Sequence, residues 1–136
     1  MRAAVIVAGI MGASLGAARP AVAQQTVPAE TTINGAATVT LYRHPFLTEA
    51  ELATLRLVAT DAQALSLFVP RGTGHAALAV APGEGFVRNG TPVPSAVAIG
   101  DLPDLTAARK AALSACDTAR RAKPACVVVL EVAPAP

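Results

Sequence analysis

The sequence predicts one α+β domain, a small antiparallel sheet with a helix layer on one face and one disulfide. Three observations support this prediction. Short segments that alternate apolar and polar residues are interspersed with segments of helical period. Glycine and proline turn signals separate these segments, and the chain holds two cysteines. The length of 136 residues suits a single domain.

The first residues of the chain have the pattern of a secretory signal peptide. Arg2 gives a positive start, Ala3–Ala18 is an apolar stretch, and the small residues Ala21 and Ala23 precede Gln24. A membrane anchor is the alternative, but a span needs about 20 apolar residues and this stretch is shorter. We therefore expect residues 1–23 to be cleaved, the protein to be periplasmic or secreted, and the mature chain to have no membrane anchor.

Removal of this segment changes the charge balance. The precursor has 11 basic and 9 acidic residues, and Arg2 and Arg19 both lie in the predicted signal peptide. The mature chain is then formally neutral, which argues against nucleic acid as a partner, because such binding relies on a basic surface. Since 53% of the residues are hydrophobic and 15% are charged, intrinsic disorder is not expected.

The mature chain divides into a lead, a domain and a tail. Residues 24–35 are polar and show no periodicity, so we expect a mobile lead. Residues 36–133 form the predicted domain, and residues 134–136 form a short tail. The domain opens with Ala37–Arg43, whose alternation predicts a strand.

A helix is predicted after this strand. Thr48 and Glu51 have the spacing of a capping box, which predicts a helix from Glu49 to about Ala59. The following residues 60–69 fit either a strand or a second short helix, for which residues 60–63 would form the capping box. Both alternatives remain open.

Turns and short strands fill the middle of the domain. Arg71–Gly74 predicts a turn, and Ala76–Ala81 predicts a strand of small residues. Asn89-Gly90 predicts the turn of a hairpin around Phe86–Arg88. Ser95–Gly100 fits a further short strand.

The last predicted elements are a helix and a strand that carry the two cysteines. Asp104–Ala122 has helical period, with Cys116 on its apolar face and an expected ion pair between Asp117 and Arg121. Cys126–Val132 predicts a strand. An even pair of cysteines in an exported chain indicates a disulfide. A zinc site would need nearby histidines, and a redox pair would be expected as Cys-x-x-Cys.

The sequence contains no catalytic motif, and we predict no catalytic residue and no cofactor. His44 and His75 could bind a metal together with Glu84 or Asp61, but each also fits an ordinary hydrogen-bonded histidine at a strand end. We further predict a candidate interaction surface, which consists of Tyr42, Arg43, Phe46, Phe86 and Arg88.

Four segments resemble small exported alphaproteobacterial proteins of unknown function: Thr40–Leu52, His75–Val80, Ala108–Cys116 and Cys126–Val129. Some of these proteins carry the label 5-aminolevulinate synthase, an activity that requires a lysine aldimine to pyridoxal phosphate. The two lysines here are Lys110, on the polar face of the last helix, and Lys123, just before Pro124. We therefore do not expect that activity.

These observations predict a non-enzymatic binding or interaction module with an unknown protein or small-molecule partner in the periplasm. Small size, neutral charge and the lack of a catalytic cluster in the sequence support this prediction. Two alternatives remain. One is a metal-assisted hydrolase that uses His44 and His75, and the other is a protease inhibitor that presents the loop Val69–Gly74.

Overall fold

The computed structural model describes residues 27–69 and 74–136. The predicted signal peptide lies outside these ranges, as do residues 70–73 of the predicted turn and inhibitory loop. No helix within them is long and apolar enough to cross a membrane. The elements in chain order are β1 (Ala29–Asn34), β2 (Ala37–Tyr42), α1 (Glu49–Thr60), α2 (Ala62–Phe68), β3 (His75–Val80), β4 (Val87–Arg88), β5 (Thr91–Pro92), β6 (Val97–Leu102), α3 (Leu105–Ala119) and β7 (Val127–Pro134).

Five strands form one sheet in the order β1-β2-β7-β3-β6, and every neighbouring pair is antiparallel. The last strand of the chain, β7, therefore lies in the centre of the sheet, between β2 and β3. The predicted α+β class with an antiparallel sheet is confirmed. The strands at the two edges are β1 and β6.

The helices lie on both faces of this sheet rather than on one. Leu78 of β3 belongs to a core cluster with Leu55 of α1, whereas its neighbour Ala77 belongs to a second cluster with Ala108 and Ala112 of α3. We refer to these faces as the α1 side and the α3 side. β3 is buried on both sides, and its continuous apolar run without alternation is the sequence pattern of a strand covered on both faces.

Residues 29–34 form the edge strand β1, which corrects the prediction that they belong to a mobile lead. β1 pairs with β2 along its full length, from Ala29 opposite Tyr42 to Asn34 opposite Ala37. Gly35 in the two-residue turn has φ +60, a conformation that glycine adopts readily in hairpin turns. The strand was missed because its threonines give no clear apolar alternation.

Within residues 60–69, Ala62–Phe68 form the short helix α2, which resolves the choice between strand and helix. Thr48 and Glu51 form the predicted capping box at the start of α1, with both hydrogen bonds present. Asp61 separates the two helices. Its Oδ1 accepts a hydrogen bond from the Ala64 N–H at 2.8 Å, so Asp61, rather than the expected Thr60, caps α2.

The predicted hairpin around Phe86–Arg88 is confirmed as β4 and β5. Arg88 lies opposite Thr91, and the two residues between them, Asn89 and Gly90, have φ values of 54° and 73°. Left-handed conformations at both positions are the geometry of a type I′ turn, which Asn-Gly favours.

The predicted disulfide between Cys116 and Cys126 is confirmed, and it joins α3 to the start of β7. The helix ends at Ala119, three residues earlier than expected. Asp117 forms its ion pair with Arg120 rather than with Arg121, and it also accepts a hydrogen bond from the Cys126 N–H at 2.8 Å. The early end is consistent with this bond, which draws the chain back toward β7.

Candidate binding surface

The α3 side of β1 and β2 has no helix over it among the described residues. α3 packs on β3, β6 and β7. A helix is about 10 Å wide and strands are about 4.8 Å apart, so one helix covers about two or three strands. The strand register places the following side chains on the uncovered part of this side, which we call the open face: Ala29, Thr31, Ile33, Thr38, Thr40 and Tyr42.

One large apolar side chain stands out on the open face. Ile33 is 65% exposed, which makes it one of three exposed large hydrophobic residues in the described chain. Its neighbours on this face are mostly threonines, and the Thr31 and Thr40 hydroxyls lie 3.4 Å apart across the two strands. The face is therefore polar and uncharged, with a single apolar centre near the edge of the sheet.

A cluster around the buried carboxylate of Glu131 borders the open face where β7 meets α3. Glu131, directly opposite Thr40, is only 5% exposed. Arg109 of α3 donates two hydrogen bonds to its carboxylate, from Nε to Oε1 and from Nη2 to Oε2, the latter at 2.9 Å. The Tyr42 hydroxyl donates a third at 3.0 Å. We call Tyr42, Arg109 and Glu131 the Glu131 cluster.

The Glu131 cluster compensates a charge that would otherwise be unpaired in the sheet. The hydrogen bond to Glu131 raises the pKa of the Arg109 guanidinium. Burial raises the pKa of the Tyr42 hydroxyl, and the Glu131 charge raises it further. Both groups therefore stay protonated and donate to the carboxylate. The arrangement holds the Tyr42 ring in a fixed position at the border of the open face.

His44 has a structural role next to this cluster. The pairing between β2 and β7 ends at Leu41 and Leu130, which leaves the Val128 carbonyl without a strand partner on that side. The His44 Nε2 lies 3.0 Å from this carbonyl oxygen and must donate to it, because a carbonyl only accepts. The His44 ring also lies 5.4 Å from the ring of Phe46.

The structure separates the two histidines. His75 begins β3, and since Ala76 lies opposite Val132, His75 is level with Ala133. His44 contacts Val128, five residues before Ala133. At about 3.3 Å per residue, the two histidines are therefore about 16 Å apart along β7. Two imidazoles that share one zinc ion must each come within about 2.1 Å of it. His44 and His75 therefore do not form a joint site.

The other proposed metal ligands also have different partners. Asp61 caps α2, and Glu84 accepts hydrogen bonds from the N–H groups of Arg121 and Ala122. Within residues 27–69 and 74–136, no group of three or more histidine, cysteine, aspartate or glutamate residues could hold a metal ion.

The five residues of the predicted interaction surface do not form one surface. Tyr42 lies on the open face, whereas Arg43 forms an ion pair with Glu30, whose side chain is on the α1 side. Phe46 packs against the main core and Phe86 is buried within it. Arg88 lies 3.5 Å from the buried Glu51 carboxylate. The sequence does not show which aromatic side chains are covered, and Phe46 and Phe86 pack in or against the core, whereas the Arg43 and Arg88 side chains are partly exposed.

Sequence reasoning missed Glu131 and Arg109. Glu131 interrupts the otherwise apolar segment from Val127 to Val132, and a charged residue within a buried strand requires a partner. That signal was available. The identity of the partner was not, because Arg109 is one of several charged residues on α3 and becomes distinct only when the helix packs on the sheet.

Comparison with known proteins gave no relatives. No family model matches the chain, and neither a curated protein nor a solved structure matches it significantly.

Proposed function

We propose that the chain is a small exported binding module without enzymatic activity, and that it binds a protein partner through the open face. The observation that carries this proposal is the uncovered part of the α3 side, with the exposed Ile33 next to the edge of the sheet. Ile33 lies on the edge strand β1, which has no neighbouring strand on one side among the described residues, so a partner that pairs with this edge would meet an exposed apolar side chain there.

The disulfide supports the exported location. Cys116 and Cys126 are the two cysteines of the chain, and they are joined. Disulfides form and persist in oxidising compartments such as the periplasm. The predicted signal peptide and the neutral charge of the mature chain agree with this location.

The partner that fits best is an extended polypeptide segment that adds a strand to β1. β1 is at the edge of the sheet, so one row of its backbone N–H and C=O groups has no strand partner among the described residues. Its sequence from Ala29 to Asn34 contains neither lysine nor proline, the residues that commonly protect an edge from pairing. Pairing through the backbone would give affinity, and side-chain contact with Ile33 would give specificity.

Two matched aspartate substitutions test this proposal. Ile33 on the open face and Leu57 on α1 are 65% and 54% exposed, and they lie on opposite sides of the sheet. The mature wild-type chain, Ile33→Asp and Leu57→Asp would each be immobilised and used to capture proteins from a periplasmic extract. Bound proteins would be quantified by mass spectrometry.

We expect a partner that binds wild type and Leu57→Asp but binds Ile33→Asp at least about tenfold less, since burial of an isoleucine contributes about 1.5–3 kcal/mol. Hydrogen exchange with that partner should show protection along β1. Equal capture by both variants, equal loss from both, or protection confined to another strand would contradict the proposed surface. Equal melting temperatures of the variants would show that folding is intact.

A further inference from the structure

A cavity lies on the α1 side of the sheet, away from the open face. It is bounded by α2, the turn between β1 and β2, and the end of β7, it is partly open to solvent, and its volume is about 330 Å³. This volume is at the lower end of the range for small-molecule sites. Its described apolar lining consists mainly of Ala36, Ala37, Ala62, Leu65, Val69 and Val132.

The described lining contains two polar side chains and no charged one. Ser66 donates its hydroxyl hydrogen to the Gln63 carbonyl within α2, at 2.7 Å. Asn34 is 8% exposed, so it is more than nine-tenths buried. A charged ligand would lose its hydration here without gaining a described counter-charge.

Asn34 presents a hydrogen-bond acceptor at the cavity wall. Its Nδ2 donates to the carbonyl oxygens of Val58 and Asp61, at 3.1 Å each. Both partners are acceptors, so the orientation of the amide is fixed with the nitrogen toward the junction of α1 and α2. No described residue donates a hydrogen bond to the remaining Oδ1. Because the Asn34 side chain lines the cavity, this oxygen can accept a hydrogen bond from water or from a ligand there.

We propose that this cavity is a binding site for a small, uncharged molecule with an apolar body and one hydrogen-bond donor, such as a hydroxyl group. The apolar body lies against α2 and Val132, and the donor meets Asn34 Oδ1. This site is independent of the open face, since the two lie on opposite sides of the sheet. It adds a small-molecule ligand to the protein partner proposed above.

Three related probes test the chemistry of the site: benzyl alcohol, benzyl methyl ether and benzoate. The ether keeps the ring and the oxygen but has no donor, and benzoate carries a charge. Titrations would follow the backbone amide resonances of the ¹⁵N-labelled mature chain. We expect saturable shifts for benzyl alcohol at residues that line the cavity, at least about fivefold weaker binding of the ether, and no saturable binding of benzoate.

Two leucine substitutions on α2 test the location. Ser66 lines the cavity, and Gln63 is an exposed residue of the same helix that is not among the lining residues. Ser66→Leu should fill the cavity and abolish the benzyl alcohol shifts, whereas Gln63→Leu should leave them unchanged. Shifts that persist in Ser66→Leu, shifts centred elsewhere, no saturable shift in wild type, or equal binding of the alcohol and the ether would each overturn the proposal.

The outcome is distinguishable from failure of the open-face proposal. Ile33→Asp, which should abolish partner capture, should leave benzyl alcohol binding unchanged. Ser66→Leu should leave partner capture unchanged.

Discussion

Replacement of Glu51 by glutamine tests how the hairpin of β4 and β5 is held on α1. The Glu51 side chain is completely buried. Its Oε2 accepts hydrogen bonds from the N–H groups of Phe86 at 2.7 Å and Val87 at 3.0 Å, and its Oε1 accepts one from the Thr48 N–H at 3.0 Å. Arg88 Nη2 lies 3.5 Å from Oε1. One carboxylate therefore joins the start of α1 to the hairpin.

Glutamine can supply only one of the two acceptor oxygens. Its NH₂ group would face a backbone N–H, which leaves at least one donor unpaired. A hydrogen bond to a charged group contributes about 1.5–3 kcal/mol, and an unpaired buried donor costs about 1–3 kcal/mol. We expect Glu51→Gln to lower the free energy of unfolding by about 2–4 kcal/mol, or the melting temperature by about 10–20 °C. Glu49→Gln, at an exposed position in the same helical turn, is the matched control and should cost less than about 1 kcal/mol.

The pH dependence gives a second test of the same group. Burial raises the pKa of Glu51, but hydrogen bonds from the backbone of Phe86, Thr48 and Val87 and the Arg88 charge outweigh it, so the pKa lies below its ordinary value of 4.5. The stability from such a carboxyl is fully present above the unfolded pKa and is lost as pH falls through the folded pKa.

Calorimetric melting of wild type, Glu51→Gln and Glu49→Gln, from pH 7 into acidic solution, would measure both the loss of stability on substitution and its dependence on pH. The difference in melting temperature between wild type and Glu51→Gln should be constant from pH 7 to about pH 5. It should become smaller in more acidic solution. If Glu51→Gln melted within about 2 °C of Glu49→Gln at neutral pH, or if the difference from wild type did not become smaller in acid, the hydrogen-bond argument would be refuted.

Three further substitutions or treatments have defined outcomes. Reduction of the Cys116–Cys126 disulfide should lower the free energy of unfolding by about 2.5–3 kcal/mol in the chain-entropy model, and an unchanged melting temperature would contradict this. Gly85→Ala should lower the melting temperature more than Gly90→Ala. Both glycines have positive φ, +71 and +73, so the backbone strain is similar. A Cβ on Gly85 would lie 2.7 Å from the buried Glu51 Oε2, whereas a Cβ on Gly90 would meet nothing within 4 Å. Equal losses would refute the steric reason. His44→Ala should lower the free energy of unfolding in chemical denaturation by about 1–2 kcal/mol, because a strand carbonyl loses its donor. His44→Gln should recover part of that loss. Equal stabilities of the two variants would argue against this hydrogen bond.

The elements that the sequence predicted well are those with local signals. The capping box of Thr48 and Glu51 places the start of α1, because the hydrogen bonds that define it are local. Asn89-Gly90 likewise predicts its hairpin from two residues. The disulfide was predictable because a chain with two cysteines has only one internal pairing.

The candidate binding surface was mostly not predictable, because it depends on contacts between distant segments. Tyr42 and Glu131 are 89 residues apart in the chain and meet only because β7 inserts next to β2. The order of strands in the sheet determines which strands α3 covers. The exposure of Ile33 follows from that order, and its polar neighbours gave no sign that β1 exists. Only Tyr42 was both predicted as a surface residue and found on the open face.

The difference between alanine and threonine explains why the open face exists. α3 meets the sheet through side chains that are 0% exposed and mostly small, including Ala77, Ala79, Ala108 and Ala112. Small residues let a helix lie close to the sheet, but each buries little apolar area, and stabilisation scales with that area at about 25 cal/mol per Å². A second helix over β1 and β2 would need apolar side chains beneath it, and that side instead presents mainly threonines. A strand partner does not need this apolar area, because it binds through backbone hydrogen bonds at the edge. The edge of β1 is therefore better suited to an added strand than the open face is to a packed helix.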